Sequence, residues 1–411
     1  MVLQLRLHPT ASGLLTLYSS ALLAGMWAMI LPALPVLATS FGISAGTAAQ
    51  TITALAIGRL AGMPISGAVL DRLGTRTAII SGPAAACIAA LSAATMPRFE
   101  LILVCVFLIG VADSVWVIGR EVAGIDLARQ DQRGRVLSGF HGVNNIGLAL
   151  GPLLGGILTE AAGFRTVFIA YGLCAAISIP FGLSVGNSRP SQQLHSPSQT
   201  VTGFGLAALK ERLRGLKNLF HQIRPDLRST YIVLVFATLT SFVHRVTTQS
   251  LLPLYGSSQL GLTPKEVGLL FTISGACVFA MILPAGFIID KVGRKCATVP
   301  STGIPALAFL LIPFSDSFLQ LAVLLSFLGI ANGLSLGSLA TSTYDVVPAN
   351  ARGRLQAARR TIAEIGGVGA PLLGGFLADT FNPGVPFLAY APLLILSAVL
   401  LGVVGRETLE R

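Results

Sequence analysis

"RGRVLSGFHGVNNIGLALGPLLGGI" (residues 133–157) has a second copy in this chain, "RGRLQAARRTIAEIGGVGAPLLGGF" at residues 352–376. The copies align without a gap and are identical at ten positions; the first begins at Arg133 and the second at Arg352, a spacing of 219. The same spacing relates "GAVLDRLGTR" (67–76) to "GFIIDKVGRK" (286–295). The chain is therefore a duplicated unit, and the fold of one half must also suit the other half.

Charged residues are scarce in this sequence. The 411 residues are 11% charged and 53% hydrophobic, whereas soluble proteins contain about 25% charged residues. The hydrophobic residues form runs of the ~20 residues that a helix needs to cross a bilayer. Twelve runs lie at roughly 13–38, 47–70, 77–96, 99–122, 136–160, 164–186, 229–255, 266–289, 296–315, 318–343, 356–379 and 384–405. Because these runs lack the polar faces of soluble helices, we predict an all-α membrane protein with twelve transmembrane helices.

The basic residues are unevenly distributed between the loops. With twelve runs, alternate loops share a side of the membrane, and 20 Lys and Arg fall on one side against three on the other. Positively charged loops remain in the cytoplasm, so we expect a multi-pass protein of the cell (inner) membrane with both termini cytoplasmic. The net charge of +11 then faces anionic membrane lipids, and no motif points to nucleic acid.

The duplication and the charge distribution together predict two six-helix bundles. Both copies begin on the cytoplasmic side, so we expect parallel repeats, a transporter architecture with its substrate site between the repeats near the midplane. The predicted domains are residues 1–186, a cytoplasmic linker at 187–228, and residues 229–411. Apolar residues at helical spacing over 203–223 predict an amphipathic helix on the membrane surface. It is either a clamp that couples the halves or a linker held near lipid by charge.

Motifs for metal binding and ATP use are missing from the sequence. The five cysteines lie in or beside the apolar runs without metal-ligand spacing, and we expect them to be small core residues. No GxxxxGK[ST] or HExxH motif occurs. We therefore predict a monomer that handles a small-molecule substrate, uses no metal or cofactor and is not an enzyme.

The two loop copies fit a known signature. The pattern Gly-x-x-x-Asp-Arg-x-Gly-x-Arg is matched over 67–76. Over 286–295 it is matched with Lys291 in place of the first arginine and Lys295, preceded by Arg294, in place of the last. In these positions, and over nearly its whole length, the chain resembles the major facilitator superfamily. The resemblance implies that charges at the cytoplasmic ends form a latch for the outward-open state; the alternative is a static staple that sets topology. The latch residues are Gly67, Asp71, Arg72, Gly74, Arg76, Asp126, Arg133 (or Arg135), Gly286, Asp290, Gly293, Arg294, Asp345 and Arg352. Gly67 is expected to allow close helix approach.

A second signature lies in the fifth run. It resembles the Gly-x-x-x-Gly-Pro-x-x-Gly-Gly motif of the drug-efflux (drug:proton antiporter) branch, with residues Gly147, Gly151, Pro152, Gly155 and Gly156. The resemblance implies proton-coupled efflux of small hydrophobic compounds or drugs. The alternatives are uptake or flipping of an anionic metabolite or lipid, and a membrane sensor that does not transport. That branch often carries an arginine early in the fourth run, but the matching Val106 is apolar, so any proton coupling must use other residues.

Ionisable residues inside apolar runs are candidate functional groups, because each costs about 2.5–3.5 kcal/mol to insert. The predicted substrate and proton cavity contains Trp27, Asp113, Trp116, His141, Asn145, His244, Arg245, Gln249 and Glu364. Asp113 and Glu364 are the expected proton carriers, the histidines can titrate near neutrality, and Arg245 can bind an anionic group. Structural pairs, Arg360 with Glu364 or Arg120 with Glu121, are the alternative. We expect Arg120, Arg359 and Arg360 to extend toward the membrane surface.

Overall fold

The computed structural model describes residues 9–128, 133–183, 219–348 and 351–408, without the side chains of 9–12, 133–135, 137 and 138. Within these residues, twelve helical spans are long and apolar enough to cross a membrane. Spans 1–12 are Gly13–Phe41, Ala45–Leu73, Thr75–Thr95, Phe99–Leu127, Gly139–Ala162, Phe164–Leu183, Pro225–Leu260, Pro264–Val292, Arg294–Phe314, Phe318–Val346, Arg352–Thr380 and Val385–Val403. The predicted all-α fold with twelve transmembrane helices is confirmed. Most of the predicted linker and its amphipathic helix lie outside the described residues.

Most spans are single α-helices, and departures from α-helical geometry are local. Span 1 joins the α-helices Pro9–Gly25 and Leu34–Phe41 through the 3-10 segment Met26–Ala33. This segment contains Pro32, which has no N–H to continue α-helical bonding. The α-helices of spans 5, 7, 8 and 9 are Arg133–Ala162, Arg228–Leu260, Pro264–Phe287 and Arg294–Leu311. Span 7 begins with the 3-10 turn Pro225–Leu227, span 8 ends with the π-helical turn Ile288–Val292, and span 9 ends with the 3-10 turn Ile312–Phe314.

The turns between helices repeat at the spacing of the sequence duplication. Gly42 and its counterpart Gly261 follow spans 1 and 7 with φ of 62° and 64°, a left-handed conformation that costs glycine little. Gly74 and Gly293 separate spans 2 and 3 and spans 8 and 9, with φ of 85° and 154°. The backbone of the second half thus turns where the backbone of the first half does.

The chain divides into two compact units, each with its own interior. Unit 1 comprises residues 1–192 and 249–276, and unit 2 comprises residues 193–248 and 277–411. Trp116 and Tyr171 are fully buried in unit 1. In unit 2 the buried rings of Phe309 and Phe387 pack edge to face, 5.1 Å between centroids. The predicted domain boundaries at residues 186 and 229 remain a prediction.

Spans 2 and 4 cross closely in unit 1, at glycine positions. A methyl group on Gly58 would collide with the carbonyl oxygen of Phe107, and one on Gly110 with that of Leu55. Small residues at both sides of a crossing let two membrane helices approach backbone to backbone. The crossing therefore fixes the polar side chains that follow these glycines in the sequence.

Candidate functional site

A partly buried ion pair lies beside this crossing. Arg59 Nε donates to Asp113 Oδ2 at 2.8 Å, with side-chain exposures of 30% and 9%. The Arg59 guanidinium also lies over the Trp27 ring, 4.5 Å from its centroid, and its backbone carbonyl accepts a hydrogen bond from Ser114 Oγ at 2.7 Å. The predicted residues Trp27 and Asp113 are thus brought together by Arg59 in span 2.

Trp116 belongs to the core of unit 1. The side chain is fully buried, and its Nε1 donates to Ser20 Oγ at 2.8 Å. Ser20 Oγ is also hydrogen-bonded to Ser178 Oγ at 2.9 Å. The indole N–H is therefore satisfied by a buried pair of hydroxyl groups that links spans 1 and 6. This placement supports a packing role for Trp116 rather than the predicted place in a cavity.

The prediction that Arg120 pairs with Glu121 and extends to the membrane surface is wrong. Arg120 is 2% exposed, and its Nη1 donates to the Ser20 carbonyl oxygen at 3.4 Å. Its Nε has no hydrogen-bond partner among the described residues. Consecutive helix residues do not share a face, and Glu121 instead faces His141, whose Nε2 lies 3.8 Å from Glu121 Oε1.

Arg359 is also buried, against expectation. It is 9% exposed and donates to Thr238 Oγ1 at 2.8 Å and to Gln356 Oε1 at 3.1 Å, because neutral oxygens in unit 2 satisfy it internally. Arg360 behaves as expected, since its side chain is 68% exposed and its Nε lies 3.7 Å from Glu364 Oε1.

A cluster of hydrogen-bond donors lies in unit 2, formed by His244, Arg245, Asn332 and Ser335 (the donor cluster). Arg245 Nε donates to Asn332 Oδ1 at 3.3 Å, and Arg245 Nη2 donates to Ser335 Oγ at 3.1 Å. His244 Nε2 lies 3.2 Å from the same Asn332 Oδ1. The predicted cavity residues His244 and Arg245 therefore meet polar side chains of the tenth span that the sequence did not single out.

Three predicted cavity residues form weaker or no contacts. His141 has a 66% exposed side chain, and Glu121 is its ion-pair partner among the described residues. Asn145 and Gln249 are partly buried, and neither side chain forms a hydrogen bond with another residue that the structure describes. In span 5 the neighbouring Asn144 holds the helix, because its Nδ2 donates to the Ala21 carbonyl oxygen at 3.0 Å.

Three of the predicted latch residues, Asp290, Arg294 and Asp345, are in contact in unit 2 (the Arg294 network). Arg294 Nη1 donates to Asp290 Oδ1 at 3.1 Å, and Nε donates to Asp345 Oδ2 at 3.0 Å. Nη1 also donates to the Ile289 carbonyl oxygen at 2.8 Å. Arg352 is not part of this network, since it stacks on the Tyr344 ring, 3.9 Å from its centroid, and bonds a backbone carbonyl.

The C-terminal segment extends this network, which the sequence did not predict. The Glu407 carboxylate accepts from the backbone N–H of Arg294 at 2.8 Å and of Lys295 at 3.1 Å. Thr408 Oγ1 donates to Asp345 Oδ2 at 3.2 Å. An anion at a helix N-terminus is stabilised by the free N–H groups and the helix dipole, so Glu407 caps span 9.

The predicted latch residues of unit 1 form fewer contacts within the described part of the chain. Asp71, Arg72 and Asp126 are exposed, and none of them forms an ion pair with another described side chain. The predicted partner Arg133 has no described side chain. A methyl group on Gly67 would meet no atom within 4 Å, so the expected close helix approach at Gly67 is wrong; Gly58 and Gly110 supply it instead.

The glycines of the fifth-run motif pack against span 1. Methyl groups on Gly147 and Gly155 would collide with the carbonyl oxygens of Leu22 and Met29, whereas one on Gly151 would lie 3.3 Å from Met29 N. On another face, a methyl group on Gly156 would collide with the carbonyl oxygen of Pro264 in span 8. Span 5 is therefore in close backbone contact with neighbours on two sides within unit 1.

The spans and charges define a class of protein. Twelve membrane-crossing helices in a duplicated order, with ion pairs and donors inside the spans, belong to multi-pass transporters rather than to enzymes. Among the described residues, no group of three His, Cys, Asp or Glu could hold a metal ion. A family model for the Major Facilitator Superfamily matches residues 16–263 and 234–410. The chain belongs to this superfamily, as predicted, and is a secondary transporter of small molecules.

Similar proteins include drug exporters. The chain is 24% identical over 365 residues to the "Multi-drug resistance efflux pump PmrA homolog" of Lactococcus lactis subsp. lactis, covering 86% of this chain and 84% of the relative. It is 25% identical over 385 residues to "Multi-drug resistance efflux pump PmrA" of Streptococcus pneumoniae, covering 88% of each. "Citrate exporter 1" of Aspergillus niger is 26% identical over 279 residues, covering 63% of this chain and 53% of the relative.

Solved structures share the fold at low sequence identity. A POT family transporter in complex with a thioalcohol-conjugated peptide superposes with a TM-score of 0.73 at 14% identity, covering 96% of this chain and 99% of that chain. The inward open xylose transporter XylE from E. coli gives 0.69 at 15% identity, covering 97% and 95%. These likenesses establish the fold.

Proposed function

We propose that this protein exports small hydrophobic organic compounds in exchange for protons, by alternating access, as a monomer in the cell (inner) membrane with both termini cytoplasmic. Export is supported by the relatives, since the two PmrA proteins are efflux pumps by name and the Aspergillus niger protein is an exporter by name. The excess of Lys and Arg on one set of loops supports the orientation.

The observation that carries proton coupling is the Arg59–Asp113 pair. A carboxylate inside a membrane span is costly unless paired, and such residues often belong to proton pathways. When Asp113 takes up a proton it releases Arg59, but the guanidinium keeps its contact with Trp27. Such a cation–π contact contributes about 0.5–2 kcal/mol. Because this contact does not depend on the charge of Asp113, Trp27 can hold the guanidinium in place while Asp113 exchanges its proton.

The Arg294 network supports a role in conformational exchange. It joins Asp290, before the turn at Gly293, to Asp345 at the end of span 10. The Asp290 side chain is 70% exposed, so its ion pair with Arg294 can be broken at the modest cost of about 0–1 kcal/mol. The Arg294–Asp345 pair is more buried, with exposures of 12% and 26%, and holds the two helix ends more firmly. We assign these residues, with their unit 1 counterparts, to the latch of the transport cycle.

The test is transport in proteoliposomes with an imposed pH gradient, using ethidium as a hydrophobic cation and 2-naphthoate as a hydrophobic acid. Wild-type protein is expected to accumulate at least one of them in a gradient-dependent way. Asp113→Asn should lose this accumulation but keep exchange of labelled for unlabelled compound, because exchange needs no net proton movement.

The matched control is Glu121→Gln, which removes an acid from the same helix at a site without a buried ion pair. It should keep both activities. Gradient-driven accumulation by Asp113→Asn at the wild-type rate would assign proton coupling elsewhere. No gradient-dependent movement of either compound by the wild-type protein would overturn the proposed function.

A further inference from the structure

Arg245 is a cation in span 7 whose direct contacts are with neutral side chains. Its hydrogen-bond partners are the neutral side chains of Asn332 and Ser335. Among the described residues, no carboxylate oxygen lies within 4.0 Å of its guanidinium. A membrane-embedded charge is strongly unfavourable unless an opposite charge compensates it.

The donor cluster presents hydrogen-bond donors beyond those it uses internally. Asn332 Oδ1 accepts from Arg245 Nε and lies 3.2 Å from His244 Nε2, so the amide N–H₂ is turned away from both side chains. Ser335 Oγ accepts from Arg245 and donates to the Asn332 carbonyl oxygen at 2.9 Å. Arg245 Nη1 and Asn332 Nδ2 form no hydrogen bond with another described residue. Both can donate to a ligand.

The duplication relates one residue of this cluster, Asn332, to the ion pair of unit 1, although Arg245 and Arg59 are not at equivalent positions. At the spacing of 219, "LIGVAD" (108–113) aligns with "FLGIAN" (327–332), which places Asn332 opposite Asp113. In unit 1 the aspartate at this position neutralises Arg59. In unit 2 the asparagine fixes Arg245 but brings no negative charge to it. Span 10 therefore holds the guanidinium in place with neutral groups, so that an anionic ligand can pair with it directly.

The charged groups around Arg245 are few. Glu364 of span 11 is the carboxylate whose charge acts on Arg245, but its direct partner is Arg360 at 3.7 Å. His244 lies next to Arg245 on span 7 and is fully buried. Glu364 would repel a second anion, so its removal should favour anion binding at Arg245.

We propose that Arg245 and Asn332 bind the acidic group of an amphipathic organic acid, such as a carboxylate or sulfonate on a hydrophobic body. The assignment rests on the proposed transport function and specifies its substrate class. Planar guanidinium groups suit carboxylates because two N–H groups donate in parallel, and the neutral amide beside it supplies a further donor.

The experiment measures binding to the purified full-length protein by titration calorimetry, with three probes that share one aromatic body. These are 2-naphthoate, the neutral 2-naphthamide and the cationic 2-naphthylmethylamine. The wild-type protein should bind 2-naphthoate about tenfold more tightly than 2-naphthamide, the ratio expected when a hydrogen bond gains a full charge. Equal affinities for these two probes would overturn the proposal.

Three variants locate the site. Arg245→Gln should abolish the preference for 2-naphthoate, and Glu364→Gln should keep or increase it. Asn332→Asp introduces the acid that Asp113 provides in unit 1, so it should abolish the preference for 2-naphthoate while the protein stays folded. This variant tests the site even if Arg245→Gln fails to fold. Arg165→Gln makes the same chemical change at an exposed arginine and should have no effect. An unchanged preference in Asn332→Asp would contradict the assignment.

The outcome is separable from that of the proposed function. Acid-selective binding without gradient-driven transport would refute the proposed function and leave this site standing. Gradient-driven transport of ethidium by a protein that binds 2-naphthoate and 2-naphthamide equally would refute the site alone.

Discussion

Two opposing free energies determine the stability of the Arg59–Asp113 pair: the cost of burying the charges and the stabilisation from their contact. Arg59 Nε and Asp113 Oδ2 are 2.8 Å apart and the Asp113 side chain is 9% exposed. Removing one partner of a buried pair leaves the other charge without compensation, at a cost of about 3–5 kcal/mol, whereas removing both can be nearly neutral. We therefore expect a single substitution in this pair to lower the stability of the protein much more than the double substitution does.

Arg59→Gln is expected to destabilise the protein by up to about 3–5 kcal/mol, and Arg59→Gln combined with Asp113→Asn should recover most of that loss. The reason is that the double variant buries two amides in place of a lone carboxylate. Thermal unfolding of the purified protein in detergent measures the effect. A double variant as unstable as Arg59→Gln alone would show that the ion pair is not what the single change removes.

The sequence was sufficient to select single candidate residues but not to predict their partners. The internal duplication and the cost of intramembrane charge were enough to select Asp113, His244 and Arg245 as candidates. Their partners could not be predicted, because Arg59 and Asp113 lie on different spans and meet only through a helix crossing. Arg120 was misjudged for the same reason, since its burial depends on Ser20 of another span.

Hydropathy predicted the elements better than it predicted their contacts. All twelve spans follow from apolar runs of sufficient length, because a membrane helix must satisfy its own backbone and expose apolar side chains. The stripe of Gly147, Gly151 and Gly155 also followed from spacing. The spacing gives these three glycines the same expected role, but in the structure Gly151 is packed less tightly than the other two.

A matched pair of substitutions in span 5 tests this difference. Gly155→Ala should destabilise the protein by about 1–3 kcal/mol, the usual cost of overpacking, because its methyl group would collide with the Met29 carbonyl oxygen. Gly151→Ala should be tolerated far better, since its methyl group would lie 3.3 Å from the nearest atom. Unfolding temperatures of the two variants measure the contrast. Equal shifts would mean that span 5 does not contact span 1 at Gly155 as the structure has it.

Over the whole chain, the two copies of the repeat match in the positions of their backbone turns but differ in their charged side chains. The turns at Gly74 and Gly293 correspond, and so do the loop motifs around them. The polar contacts diverge, because Asp113 corresponds to Asn332 and because the Arg294 network includes Glu407 near the C-terminus. Neither divergence follows from a repeat, which predicts equivalent positions but not which copy has exchanged its side chain.

The C-terminal contact yields the last prediction. Glu407 accepts from the N–H groups of Arg294 and Lys295, and such capping of a helix N-terminus contributes about 0.5–1 kcal/mol. Glu407→Gln should therefore speed hydrogen exchange of these two amides about two- to fivefold, as followed by mass spectrometry of the peptide that contains them. Glu410→Gln, the same change slightly further along the chain, is the control and should leave both amides unchanged. Equal exchange in wild-type protein and Glu407→Gln would show that the C-terminal segment does not cap span 9, and the Arg294 network would then consist of its ion pairs with Asp290 and Asp345.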